Sequence, residues 1–145
     1  MKNILKESRF QSLQKPGFSN RQMKTFNLDE ANALIPHLEE LLDELSLARD
    51  KLANMGTKLE SLIQHANGNG GSKAGSEYAM VLQMFNAHLS FIQDIGCELK
   101  DLDQGLVDFP SYRDGRLVYL CWKRGEDRVR YWHDLDAGYS GRQPL

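Results

Sequence analysis

From Ala31 onward, apolar residues recur at steps of three and four without a break: Ala31, Leu34, Leu38, Leu41, Leu45, Ala48, Leu52, Met55, Leu59, Leu62 and Ala66. Such a run can only be a long helix that packs a narrow seam, with the spacing of a coiled coil. Asn27 stands before it as a helix N-cap, and Glu30 completes a capping box. The expected helix spans 27–66. Pro36 lies opposite the seam, so the helix should bend there; a break near residue 35 is the alternative.

Residues 67–75, NGNGGSKAG, read as a flexible loop. A second helix is expected over 76–95, with Tyr78, Leu82, Phe85, Leu89 and Ile92 on one face and Gly96 as its terminator. The two helices form an antiparallel hairpin of unequal arms. With the loop centred near residue 71, Gly96 falls opposite residue 46. The first half of helix 1 then needs another cover, either the C-terminal third of the chain or a second subunit.

After Gly96 the apolar period drops to two. Asp114-Gly115 predicts a type I′ hairpin that pairs Val107 with Trp122, Phe109 with Leu120 and Tyr112 with Leu117. Gly125-Glu126 predicts a type II′ hairpin that pairs Leu120 with Tyr131 and Val118 with His133. The inward face would then carry Val107, Phe109, Val118, Leu120, Trp122, Val129, Tyr131 and His133. Asp108, Tyr112, Tyr119, Cys121, Arg130 and Trp132 would share the outer face. Residues 97–133 form this meander, CELKDL at 97–102 is a candidate fourth strand, and 134–145 is a tail. The expected fold class is α+β: a long antiparallel helical hairpin on a small three- to four-stranded antiparallel meander.

FNLDEANALIP at 26–36, with GLVDFP, LCW, the GE turn and YWH followed by GxxGRQP, resembles a bacterial family known as domain-of-unknown-function family 2203. The resemblance covers 23–145 as a single domain. It implies that Met23 lies near the usual start and that residues 1–22 depart from the family. It implies no reaction, ligand or partner.

Residues 1–25 hold six basic groups against Glu7, a balance of +5 within a net charge of −2. Residues 1–22 therefore read as a disordered basic extension. No apolar run approaches the ~20 residues of a membrane helix, and no secretory signal is visible, so the expected setting is cytoplasmic. Cys97 and Cys121 match neither a disulfide framework nor a zinc ribbon.

Two groups of residues invite chemistry. Asp108 and Arg130 flank Cys121 across the strands, as an anion or redox site or as a plain cross-strand ion pair. His133 at the strand end, with Asp101 and Asp103 as companions, suits a divalent metal or acid–base work, or a hydrogen bond at a sheet edge. Arg142 either reaches an anion beside the sheet or pairs with an aspartate. Tyr112, Tyr119 and Trp132, interleaved with arginines, suit a protein interface or stacked bases, and the acidic balance argues against nucleic acid. No cofactor motif occurs, and the metal, if any, is open. The favoured expectation is a non-catalytic interaction module with a protein partner or as a homodimer. The alternative is a metal- or anion-binding protein or enzyme using Asp101, Asp103, Asp108, Arg130, His133 and Arg142. Single-stranded nucleic-acid binding is the weaker alternative.

Overall fold

The computed structural model describes residues 22–65 and 71–145, so residues 1–21 of the predicted basic extension and residues 67–70 of the predicted loop lie outside the described residues. Helix α1 runs Leu28–His65, unbroken through Pro36. Its start is the expected capping box: Asn27 Oδ1 accepts from Glu30 N–H at 2.8 Å, and Glu30 Oε2 accepts from Asn27 N–H at 2.8 Å. Helix α2 runs Gly71–Ile95. It begins five residues earlier than predicted, running through Gly71 and Gly75, which local propensity would leave uncoiled.

Five antiparallel strands follow in the order β1 (Glu98–Asp101), β2 (Leu106–Arg113), β3 (Arg116–Lys123), β4 (Tyr131–His133) and β5 (Gln143–Pro144). The fold is α+β with a C-terminal meander. The β2–β3 hairpin has the predicted register, and positive φ at both Asp114 (51°) and Gly115 (75°) marks its I′ turn. The expected tail instead folds back, through a short 3-10 turn at Tyr139–Gly141, to add β5 beside β4.

The next connection departs from expectation. Glu126 N–H donates to the Lys123 carbonyl, so the turn is centred on Arg124-Gly125. Gly125 (φ 95°) occupies the third turn position, where a type II turn needs glycine. Glu126 Oε2 also accepts from Lys123 N–H, and the Glu126 carbonyl accepts from Trp122 Nε1. A longer connection results, and β4 begins only at Tyr131. Leu120 pairs with Trp132, Cys121 with Tyr131, and Tyr119 with His133. The third strand is thus offset by one residue from the predicted pairing. Trp132 moves into the core, while Tyr131 and His133 move to the outer face.

The inner sheet face covers the first half of α1, as the unequal arms require. Leu38, Leu42 and Leu45 are fully buried, and each contributes roughly 1.5–3 kcal/mol. Ile35 and Leu42, outside the predicted seam, widen it into a broad face that meets both α2 and the sheet. Phe26 packs edge-on against Phe109, with ring centroids 5.5 Å apart, and its N–H donates to the Pro110 carbonyl. Asn32 Oδ1 accepts from Val129 N–H at 2.7 Å, so α1 itself holds the long connection before β4.

Candidate functional site: a buried Asp-Cys-His cluster

The outer sheet face carries the polar chemistry. Asp108 on β2 stands directly opposite Cys121 on β3. His133 on β4 stands one row along, opposite Tyr119. All three are buried, Asp108 and His133 to 2% exposure and Cys121 to 1%. One donor atom from each lies within 4.8 Å of the others. Their imidazole, thiol and carboxylate come from three adjacent strands, so the sheet itself holds the spacing.

His133 Nδ1 lies 2.8 Å from the Asp134 carbonyl oxygen, and Nε2 lies 3.1 Å from Asp108 Oδ2. A carbonyl only accepts, so Nδ1 carries a proton and donates it. Nε2 therefore faces a carboxylate oxygen, and a proton must sit between them for that contact to be favourable. Asp108 also accepts a hydrogen bond from the Cys121 thiol. Burial pushes that thiol up to about 12, and the Asp108 charge and hydrogen bond add to the rise against the opposing Arg142. Without a cation the sulfur stays protonated, which makes it a poor free nucleophile.

A cavity of about 250 Å³ opens beside the cluster, bounded by Leu106, Tyr119, Leu135 and Tyr139, with Lys100 and Asp136 also on its wall. Tyr119 donates its hydroxyl to Glu98 Oε1 at 2.7 Å, and the Lys100 ammonium lies 5.0 Å from the Tyr119 ring centre. Burial, the Glu98 hydrogen bond and the Glu98 and Asp108 charges raise the Tyr119 phenol to about 12. Burial alone would raise the Glu98 carboxyl, but the hydrogen bonds from Lys100 and Tyr119 hold it below its ordinary value.

The remaining predicted site residues are placed elsewhere. Asp101 caps a turn by accepting from Gln104 N–H, and Asp103 forms an exposed ion pair with Arg49. Neither joins His133, because the bulge in β1 and the turn after it point them toward α1 and solvent. Arg130 does not flank Cys121; the offset of β4 sets Tyr131 there, and Arg130 pairs with exposed Asp127 instead. Arg142 finds Glu126 rather than an aspartate, at 2.8 Å, and also donates to the Cys121 carbonyl. Its guanidinium lies 4.1 Å from the Tyr131 ring centre and 4.9 Å from that of Tyr139. The supposed aromatic face is dispersed: Tyr112 is exposed at the hairpin end, Tyr119 is half-buried, and Trp132 is in the core.

Residues 24–145 match the family described as "Uncharacterized conserved protein (DUF2203)". The chain belongs to this family. No curated protein and no solved structure matches it. The DUF2203 match spans both sides of the site, from β2 through the tail that closes over it. Sequence reading set Cys121 with Asp108 and Arg130, and His133 in a separate group with Asp101 and Asp103. The direct pairing of Cys121 with Asp108 was visible in the hairpin register, but His133 stood on the wrong face to complete the group. Among the described residues no helix is long and apolar enough to cross a membrane.

Proposed function

We propose that the chain binds a divalent transition metal, with zinc the expected ion, through Asp108, Cys121 and His133. This reading is preferred to the purely non-catalytic interaction module that sequence patterning favours. The convergence of three different buried donors within 4.8 Å carries it. Carboxylate, imidazole and thiolate are the donor types that zinc accepts, and tetrahedral bonds of ~2.0–2.1 Å to nitrogen and oxygen set donors roughly 3.3 Å apart. The 3.1 Å between His133 Nε2 and Asp108 Oδ2 is close to that edge. The Asp134 carbonyl holding His133 Nδ1–H is the kind of outer support that orients a ligating imidazole.

Charge favours the exchange as well. A divalent ion would replace the proton between His133 and Asp108 and the proton of the Cys121 thiol. Two anionic donors then neutralise the ion inside a buried site. Three protein donors leave a tetrahedral ion one position, and the adjoining cavity is where a small ligand would supply it.

Titration of the full chain with Co²⁺ tests the proposal. The expected result is one equivalent bound, a thiolate-to-cobalt absorption band, and competition by Zn²⁺. Cys121→Ser should abolish the band while the far-ultraviolet circular dichroism stays unchanged. Absence of bound metal, or a band that survives in Cys121→Ser, would show that the cluster is a structural hydrogen-bond network.

A further inference from the structure

The helices pack against the inner face of the sheet, so the burial of Asp108, Cys121 and His133 on the outer face has a different source. The chain that leaves β4 covers them. Leu135, Asp136, Gly138 and Tyr139 share the wall of the cavity with the three donors. Residues 134–142 thus form a flap over the cluster, tied down at both ends. His133 closes β4 on one side, and on the other β5 pairs Gln143 with Trp132 and Pro144 with Tyr131. A compact surface loop whose ends are held close together is a form that lids over binding sites take.

Between those ends the flap is bonded largely to itself. Ala137 N–H donates to the Asp134 carbonyl, Gly141 N–H to that of Gly138, and Arg142 N–H to that of Tyr139. Gly138 has φ 62° and ψ −165°, a conformation nearly confined to glycine, so the flap turns on a residue without a side chain. The ion pair of Arg116 with Asp134, at 3.4 Å, is exposed and weak. The strong fastening is Arg142. Its Nη2 donates to both Glu126 carboxylate oxygens at 2.8 Å and to the Cys121 carbonyl at 3.2 Å, while the guanidinium lies against the Tyr131 and Tyr139 rings. Glu126 is itself fixed to the end of β3 by accepting from Lys123 N–H, so the catch stays with the sheet and the flap carries the moving part. Arg142 Nε is buried without a hydrogen-bond partner. Opening returns that group to water and offsets part of what the latch loses.

We propose that residues 134–142 are a flap that opens to admit the metal ion and the small ligand of its open position, with the Arg142–Glu126 pair as its latch. Its role in metal entry rests on the metal-binding reading; the opening itself does not. Alkylation of the metal-free full chain by iodoacetamide, read at each cysteine by peptide mass spectrometry, tests the opening. Cys97 lies in the main core and reports global unfolding, whereas flap opening exposes Cys121. Cys121 should be labelled faster than Cys97, at a rate nearly independent of urea below the unfolding transition, while Cys97 labelling rises steeply. Arg142→Ala should speed Cys121 labelling about 10–100-fold, the factor that loss of hydrogen bonds to a charged partner implies, without giving it a urea slope. Tyr139→Ala, which removes the flap's side of the clamp, should act in the same direction. In the loaded protein, Arg142→Ala should also speed the loss of Co²⁺ to a chelator. Wild-type Cys121 labelling that rises with urea as steeply as that of Cys97 overturns the flap. An unchanged Cys121 rate in both variants overturns the latch. Failure of the wild-type chain to bind Co²⁺ defeats the metal reading and the flap's role in metal entry, whereas the labelling result judges the flap itself.

Discussion

His133 Nε2 points at Asp108 Oδ2 from 3.1 Å, with both side chains almost wholly withdrawn from water. Whichever of the two holds the intervening proton, removing one partner leaves a buried polar group without its hydrogen-bond partner. Asp108→Ala or His133→Ala alone should each destabilise the metal-free chain by about 3–5 kcal/mol. The double replacement Asp108→Ala/His133→Ala should cost clearly less than the sum of the single losses. Urea unfolding midpoints of the four proteins measure this coupling. Additive losses would mean the two side chains act independently.

Cys97, at the junction of α2 and β1, gives a pH dependence of known sign. Burial raises its thiol from the ordinary 9.0 to about 12, outweighing the nearby Lys24 charge. The folded chain therefore prefers the protonated thiol more strongly than the unfolded chain does. That stability is complete below pH 9 and is lost as pH rises from 9 through 12. The thermal midpoint should fall across this range. It should fall less steeply in Cys97→Ala, while Cys121 retains its own share.

Arg142 fastens the C-terminal segment. Burial disfavours its charge, but the Glu126 hydrogen bonds more than offset that, so its guanidinium holds its proton more tightly than usual. Arg142→Ala should cost about 1.5–3 kcal/mol, the range for hydrogen bonds to a charged group. Arg142→Lys should recover little, because an ammonium cannot lie flat between Tyr131 and Tyr139. Amide hydrogen exchange should speed up over 134–145 and remain unchanged in α1. Faster exchange throughout would instead indicate global unfolding.

At the other end of the domain, Asn27→Ala removes the acceptor for Glu30 N–H and should cost about 1 kcal/mol. Asn27→Asp should be nearly neutral. Denaturant titration distinguishes them. Equal stability in the two variants would show that the reciprocal pair at this helix start contributes nothing.

Where one stretch of chain decides its own geometry, the sequence was readable. Asn27 and Glu30 marked the helix start, the three-four spacing marked α1, and Asp114-Gly115 fixed every pair between β2 and β3. The placement of β4 was not readable, and the reason lies in adjacent aromatic residues. Tyr131 and Trp132 can each fill an inward position, so alternation permits either register. Buried Val129 strengthens the wrong one, because it is held inside by Asn32 rather than by strand pairing. What decides between them is a set of contacts made by Glu126 and Asn32, of which the second comes from a helix 97 residues away along the chain. The metal-ligating types were all recognised as candidates, but as two separate groups. Only the true offset unites them.

That offset makes the connection between Lys123 and Tyr131 a measuring rod. Its length, rather than the identity of any donor, determines whether an imidazole or an indole meets Asp108 and Cys121. Shortening it by one residue while holding β3 in place would present Trp132 to the polar face and turn His133 into the core. A related chain that keeps all three donors but differs by one residue in this connection would therefore lack the cluster. One that keeps the length but replaces Arg128 or Arg130 would retain it. Relatives that preserve the site are recognisable by counting the residues between Cys121 and His133.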